Sequence, residues 1–157
     1  MVIRDLEVQR IIDSSLLPSD EELQFWVEKA LVDYQQDTEI LIRIVDTHEI
    51  TDLNEQYRHK QGPTNILSFP FEVPEGIEGI NLLGDLVVCA EVLQQEAIMQ
   101  NKTLKDHWAH IIIHGILHLI GFDHGNEAEA LEMEAKEVDL LHQLNIDNPY
   151  QEKEING

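Results

Sequence analysis

One apolar segment, from Leu104 to Ile120, constrains the fold more than any other part of the sequence. Its composition predicts a long core helix, and Gly121 is the residue type that commonly follows the end of a helix. A membrane span needs roughly 18 consecutive apolar residues, whereas the apolar stretch from Trp108 to Leu119 is shorter and carries histidines. The segment therefore predicts a helix in a folded core and no transmembrane helix.

The remaining patterns predict strands and helices in mixed order. Ile40, Ile42 and Ile44 alternate as in a strand over 38–46, and the nearly continuous apolar residues 82–90 predict a strand at a sheet centre. A further strand is predicted at 2–12, and a short one at 65–71, broken by Pro70. Helices are predicted at 20–35, after Thr47 as N-cap, at 91–101 and at 127–144, the last with Leu131, Ala135, Val138 and Leu141 on one face.

This order of elements predicts the fold class. Strands and helices occur in mixed order along the chain, and helices dominate its C-terminal part. We therefore expect an α/β (α+β) fold in which several helices pack on a small mixed sheet. The chain has 157 residues, 43% of them hydrophobic and 26% charged, which is typical of a globular protein. We expect one domain over 1–157, with a metal-binding helix and a glycine turn.

Charge and cysteine usage limit the function classes. Ten Lys and Arg stand against 31 Asp and Glu, a formal net charge of −21, which argues against broad, non-specific nucleic-acid binding. The one cysteine, Cys89, cannot form an intrachain disulfide, which is typical of a reducing compartment. Asp5, Glu7 and Arg10 interrupt the apolar run that a signal peptide would need. We expect a cytoplasmic protein that does not bind membranes.

At the C-terminal end of the apolar helix, His114, His118 and His124 have the spacing of a metal site. His118 lies about 40° around the helix from His114 and one turn further along, so both imidazoles can reach one point. Gly121 tolerates a positive φ, which lets the next turn bring His124 back as a third ligand. Three neutral imidazoles suit zinc and leave a fourth position for water, whose pKa the metal lowers towards neutrality.

Two further histidines, His107 and His110, fall on the same stripe of the helix. One ion cannot bind them all, because the helix rises about 12 Å from His110 to His118. We prefer His114 and His118 as the ligand pair because only they are followed by the glycine turn and a third histidine. His107 and His110 are left as hydrogen-bonded core residues or as residues beside the ligands or the substrate.

The histidine spacing resembles that of the metzincin metalloproteases, with one departure. Those enzymes place a glutamate directly after the first histidine, where it takes a proton from the zinc-bound water, and Gly115 stands at that position here. Glycine cannot transfer a proton. Peptide hydrolysis by that route is therefore disfavoured.

Several separate motifs occur in a specific order along the chain. They are Tyr57-Arg58-His59-Lys60, PTNILSFPF at 63–71, LGDLVVC at 83–89, HWAH at 107–110 and HGILHLIGFDH at 114–124. Together, over about residues 40–150, they resemble the YbeY endoribonuclease family of bacterial rRNA maturation factors. The resemblance implies an α/β domain with zinc on His114, His118 and His124. It further implies cleavage of single-stranded RNA in ribosomal RNA maturation and ribosome quality control, with ribosomal proteins or ribosome-associated factors as candidate partners.

The resemblance also implies that Arg58 holds RNA or phosphate near the metal, and it places Arg58 and His114 in the catalytic site. From the residues alone, an arginine at a helix end fits either a solvated charge or a bidentate phosphate contact. The family commonly has glycine where this chain has His59, so we expect the loop to change shape. Asp85 fits a structural or ligand-orienting role, and Asp123 fits a bond to a ligand imidazole or to the turn backbone.

The sequence therefore predicts a zinc-dependent, single-strand-specific endoribonuclease. Two alternatives stay open. One is a metalloprotease-like metal hydrolase, and the other is a non-catalytic ribosome assembly factor whose metal is structural. Structural zinc sites usually fill all four positions with protein ligands. The number of protein ligands on the metal therefore separates the non-catalytic assembly factor from the two hydrolases.

Overall fold

The computed structural model describes residues 2–123 and 125–150. Its strands are β1 (Arg4–Arg10), β2 (Thr38–Val45), β3 (Ile66–Pro70) and β4 (Leu82–Cys89). Within the described residues they form one four-stranded sheet in the order β1-β2-β4-β3. β1, β2 and β4 run parallel, and β3 pairs antiparallel with β4. The predicted mixed sheet is therefore confirmed, with β4 inside it and β3 at one edge.

Five helices complete the described part of the chain: α1 (Asp20–Ala30), α2 (Thr47–Arg58), α3 (Ala90–Met99), α4 (Leu104–Leu119) and α5 (Glu127–Gln143). Helices pack on both faces of the sheet, so the predicted α/β class is confirmed. Across the residues that the structure describes, no helix combines the length and the apolarity that crossing a membrane requires.

The apolar helix predicted from the sequence, α4, lies at the centre of the larger core. It packs on β3 and β4, and α1, α3 and α5 contact it. Its buried residues include Trp108, Ile112 and Ile116. A smaller cluster on the opposite face of the sheet joins Ile50 of α2 to Val87 of β4. The sheet edge formed by β3 thus lies between α4 on one face and the end of α2 on the other.

Gly115 allows α4 to approach the sheet closely. A Cβ atom at this position would lie 2.7 Å from Ile66 Cδ1 and 2.9 Å from Leu86 Cδ2, distances that real Cβ contacts essentially never show. The position that holds a glutamate in metzincins therefore faces β3 and β4 in this protein. Any side chain at Gly115 would enter the core.

Several predicted element ends differ from the structure. α1 ends at Ala30, well before the predicted residue 35, because its capping residue Leu31 leaves the helical conformation. The N-cap of α2 is Asp46, whose side chain accepts a hydrogen bond from the Glu49 amide (2.9 Å), and not Thr47. β3 includes Pro70 as its last residue and ends one residue before the predicted Phe71; an edge strand tolerates proline, which lacks an N–H group.

The predicted apolar face of α5 is confirmed at Leu141, which is fully buried, but it is wrong at Leu131 and Ala135. Leu131 is 61% exposed, and the fully buried side chains of this helix include Met133, Leu140 and the charged Glu137. Met133 lies in the main core although its neighbours Glu132 and Glu134 indicated a surface position. The pattern of apolar residues does not identify the buried face of α5, because the carboxylate of Glu137 lies at the centre of that face.

Candidate active site

Three separate segments of the chain meet in one cavity of about 290 Å³ beside the β3 edge. Arg58 comes from the last residue of α2, and His114 and His118 come from α4. The remaining lining residues are Thr64, Asn65, Ile66, Ser68 and Asp123. The fold therefore brings the predicted arginine to the predicted histidine pair, although they lie far apart in the sequence.

The histidines of α4 form the stripe that the sequence predicts. The ring centroids of His107 and His110 lie 6.1 Å apart, and those of His110 and His114 lie 6.2 Å apart. The closest pair is His114 and His118, at 4.8 Å between centroids. Both rings of this pair line the cavity, and two imidazoles at this separation suit one metal ion.

A glycine turn follows α4, as predicted. Gly121 has φ +109°, and its amide donates to the His118 carbonyl (3.1 Å) while the Phe122 amide donates to the Leu117 carbonyl (3.0 Å). Asp123, at the end of this turn, lines the cavity. His124 lies outside the described residues, so the set of His114, His118 and His124 stays a prediction.

Behind the cavity, a buried carboxylate that the sequence analysis did not single out contacts α4. Glu137 of α5 is 0% exposed. One oxygen, Oε1, accepts a hydrogen bond from His114 Nδ1. The other, Oε2, accepts from His110 Nε2 (3.2 Å) and from the hydroxyl of Tyr150.

This network has clear electrostatic effects. Burial alone would raise the pKa of Glu137, but the hydrogen bonds from His110 and His114 outweigh it and lower the pKa to about 2. Burial, followed by the bond to Glu137, raises the pKa of the Tyr150 hydroxyl. Glu137 is therefore ionised and Tyr150 is protonated at neutral pH, and Tyr150 is the hydrogen-bond donor.

Among the described residues, His110, His114 and Glu137 form a group that can hold a metal ion, since one ligand atom from each lies within 4.8 Å of the others. His114 belongs both to this group and to the predicted trio. His110, which the sequence analysis placed in the core or beside the ligands, thus lies one hydrogen bond from the carboxylate that contacts His114.

A second carboxylate contacts His107, the first histidine of α4. Glu96 of α3 accepts a hydrogen bond from His107 Nε2 (2.9 Å) and one from Asn65 Nδ2 (3.1 Å). Burial alone would raise the pKa of Glu96, but the hydrogen bonds from His107 and Asn65 outweigh this effect and lower the pKa. His107 does not line the cavity, whereas Asn65 does.

Asp85 lies elsewhere. With Asp5, Glu7 and Glu39 it lines a cleft on β1, β2 and β4, and it is absent from the lining of the histidine cavity. Burial, followed by the charge of Glu7, raises the pKa of Asp85. Its position fits the structural interpretation better than a ligand-orienting one.

Comparison with known proteins gives the family. A family model described as endoribonuclease YbeY matches residues 11–145. A relative named endoribonuclease YbeY from Colwellia psychrerythraea is 53% identical over 152 residues, which is 94% of this chain and 97% of the relative. The chain belongs to the YbeY endoribonuclease family.

Other similar proteins agree with this assignment. A second endoribonuclease YbeY, from Alteromonas mediterranea, is 55% identical over 136 residues and 85% of each chain. The solution structure of a Thermotoga maritima protein has a TM-score of 0.59 and 26% identity, covering 98% of this chain and 93% of its own.

The YbeY family match includes every residue that lines the histidine cavity. It also includes Glu137, but Tyr150 lies beyond its last matched residue. One signal in the sequence could have revealed Glu137. It follows Met133 by one helical turn and precedes Leu140 by another, the spacing of a residue at the centre of a buried face.

The resemblance implies glycine at the position of His59, and the expected change in loop shape stays a prediction. His59 caps α2 with φ +57° and ψ +31°, the left-handed conformation that glycine adopts easily. A residue other than glycine adopts this conformation at a cost of about 1 kcal/mol.

Proposed function

We propose that this protein is a zinc-dependent endoribonuclease that cleaves single-stranded RNA during ribosomal RNA maturation and ribosome quality control in the cytoplasm. The observation that carries the proposal is the cavity in which Arg58 faces His114 and His118. An arginine beside two candidate metal ligands suits phosphodiester hydrolysis, because a positive charge stabilises the negative charge that develops on the phosphate.

We propose His114, His118 and His124 as the zinc ligands. The imidazoles of His114 and His118 fit the metal by donor type and by their proximity on one helix, and the turn at Gly121 redirects the chain after them. Zinc, when bound, would supply a Lewis acid and lower the pKa of water beside the scissile phosphate.

The residues of the chain itself would then bind and orient the RNA. Arg58 can form two parallel hydrogen bonds with a phosphate and stabilise the charge that grows on it during cleavage. Asn65 and Ser68 add polar groups to the wall of the cavity. The hydrogen bond from Asn65 to Glu96 (3.1 Å) fixes the orientation of that amide.

An exposed aromatic ring beside Arg58 supports a single-stranded substrate. Tyr57 is 58% exposed, and its ring meets Phe69 edge to face, with centroids 5.5 Å apart and planes at 78°. Proteins that bind single-stranded nucleic acid commonly combine basic residues along the backbone with aromatic rings that stack on bases. We propose that Tyr57 stacks on a base next to the phosphate that Arg58 holds.

The high negative charge of the chain favours help from a partner. A net charge of −21 repels RNA at long range, so recognition rests on local contacts at the cavity. We propose that ribosomal proteins or ribosome-associated factors bring the enzyme to ribosomal RNA.

The test compares an unstructured RNA with an unfolded casein-like protein as substrates, each with and without chelator. We expect chelator-sensitive RNA cleavage and an intact protein substrate. His118→Ala should lose bound zinc and activity, whereas His142→Ala, at an exposed position on α5, should retain both.

Two results would contradict the proposal. Chelator-sensitive proteolysis with intact RNA would favour the metal hydrolase of the protease type. Bound zinc with four protein ligands and no cleavage of either substrate would favour the assembly factor.

A further inference from the structure

We infer that Glu137, anchored by Tyr150, is a positioning residue for His114. Its carboxylate keeps the imidazole proton on Nδ1 and thereby keeps the lone pair on Nε2 for the metal. The inference rests on the proposed function only in that His114 binds a metal.

The first step is the cost of placing Glu137 where it is. A fully buried carboxylate is strongly unfavourable unless hydrogen bonds compensate it, and an apolar residue would fill the same site without that cost. The hydrogen bonds to Glu137 divide between its two oxygens. Oε2 receives His110 and Tyr150, so the carboxylate is held in one orientation while Oε1 faces His114.

The second step is the chemistry of a neutral imidazole, which has one N–H donor and one lone pair. An ionised carboxylate accepts hydrogen bonds and donates none, so Nδ1 of His114 must carry the proton. The lone pair is then on Nε2, on the other side of the ring. Metal-binding histidines in proteins commonly use this arrangement, and loss of the partner typically weakens metal binding 10-fold to 100-fold.

The third step concerns Tyr150. Its hydroxyl donates to Glu137 Oε2 and lies 3.4 Å from His110 Nε2, and the ring packs edge to face on His110 with centroids 5.7 Å apart. Tyr150 lies after α5 in the chain and binds the Glu137 oxygen that does not contact His114. It therefore restricts the rotation of the carboxylate.

Glu96 of α3 and His107 of α4 provide a control, a second carboxylate that contacts a histidine of α4. Glu96 accepts a hydrogen bond from His107 Nε2 (2.9 Å), as Glu137 does from His114, but His107 does not line the cavity. Glu96→Gln thus removes a carboxylate from an α4 histidine without touching His114. Because it also changes the acceptor of Asn65 in the cavity wall, it is a control for zinc affinity and tautomer and not for RNA cleavage.

The experiment has two measurements on wild type, Glu137→Gln, Tyr150→Phe and Glu96→Gln. The first is ¹⁵N NMR of the histidine rings in metal-free protein, which distinguishes the Nδ1–H from the Nε2–H tautomer. The second is zinc affinity by competition with a chromophoric chelator. In wild type we expect His114 to be protonated on Nδ1.

In Glu137→Gln we expect His114 to lose this single tautomer and zinc binding to weaken about 10-fold to 100-fold. Tyr150→Phe should weaken zinc binding by a smaller factor, about 3-fold to 10-fold, and Glu96→Gln should leave it within 2-fold of wild type. If Glu137→Gln fails to fold, Tyr150→Phe decides, and unchanged zinc affinity and tautomer in that variant overturn the inference.

Other outcomes would also overturn it. Unchanged zinc affinity in a folded Glu137→Gln protein would make Glu137 purely structural. If His110→Ala abolishes zinc binding as fully as His118→Ala does, Glu137 is itself a ligand in the group with His110 and His114. If zinc affinity falls as expected but no variant or wild type cleaves RNA, the positioning role stands and the proposed function fails.

Discussion

At the scale of single residues, Arg58 is the side chain that most directly distinguishes a nuclease from a metal-binding scaffold. It lines the cavity with His114 and His118 but is itself exposed at the end of α2. A residue in this position contributes little to the core, so its removal affects ligand binding more than folding.

We expect Arg58→Ala to leave zinc content and melting temperature nearly unchanged while lowering kcat/KM for RNA about 100-fold or more, as expected for the loss of a group that stabilises charge on phosphate. Arg58→Lys should restore activity only in part, because lysine cannot make the bidentate contact. Arg10→Ala, which removes the exposed salt bridge to Asp20, is the control and should retain full activity. Full activity in Arg58→Ala would make Arg58 a solvated surface charge.

Tyr57 provides a second residue-scale prediction. Stacking on a base is worth about 1–3 kcal/mol, so Tyr57→Ala should raise KM for single-stranded RNA about 5-fold to 150-fold with little change in kcat. Tyr57→Phe should behave as wild type, because stacking uses the ring and not the hydroxyl. Phe25 is an aromatic that is 54% exposed on α1, a helix that contributes no residue to the cavity lining, and Phe25→Ala should not change KM.

A substrate that lacks one base completes this test. If Tyr57 stacks on a base, an abasic nucleotide at the contacted position should weaken wild type but have little further effect on Tyr57→Ala. Equal losses in both proteins would show that Tyr57 does not contact that base.

At the scale of elements, α4 fixes both the core and the site. Its sheet-facing side requires glycine at 115, while its histidine face supplies the cavity. The sheet-facing side and the histidine side of α4 point in different directions. A side chain introduced at Gly115 therefore faces the sheet and not the histidines. The metzincin comparison can therefore be tested directly.

We expect Gly115→Glu to lower stability by about 3 kcal/mol or more and to create no proteolytic activity. The added Cβ would already lie 2.7 Å from Ile66 Cδ1, and the carboxylate would be buried against the sheet without a partner. Thermal unfolding and a casein-like substrate check the two parts. Gly115→Ala isolates the steric part and should destabilise less. A stable Gly115→Glu protein that cleaves protein would show that this position reaches the metal.

The elements also show how far sequence patterns reach. β2, β4 and α4 were predicted almost to their ends, because alternating or continuous apolar residues report burial locally. The pairing of β3 with β4 was not predicted, since strand pairing depends on contacts between distant segments. The buried face of α5 was misplaced for a related reason. Glu137 belongs in the core only because His110, His114 and Tyr150 provide donors there.

Some residues of the candidate site were predicted from the sequence and others were not. Arg58, His114 and His118 were singled out from their motifs, and the fold brings them into one cavity. Glu96, Glu137 and Tyr150 were not singled out, because the sequence does not show which donors a carboxylate or a tyrosine will meet. Only the spacing of Glu137 from Met133 and Leu140 indicated that it is buried. Hydrogen bonds behind the site depend on the packing of α3 and α5 against α4.

At the scale of the whole molecule, charge decides how RNA can bind. The chain carries a net charge of −21, yet Arg58 lines the cavity, and the exposed Lys60 follows two residues later in the chain. RNA therefore meets few positive charges within a repulsive field. Its affinity must come from a few phosphate contacts, from stacking and from the metal.

This charge distribution predicts a shallow salt dependence. Each neutralised phosphate on a single strand contributes a slope of about −0.7 in log K against log salt, so one to three contacts give a slope between about −0.7 and −2. Between 50 and 200 mM salt, kcat/KM for unstructured RNA should fall only about 3-fold to 20-fold. Arg58→Ala should make this slope shallower by about 0.7, the contribution of one phosphate contact. Arg10→Ala should leave the slope unchanged, because Arg10 pairs with Asp20 away from the cavity. A slope steeper than about −4 would mean that RNA contacts an extended basic surface, which a second protein chain would have to provide.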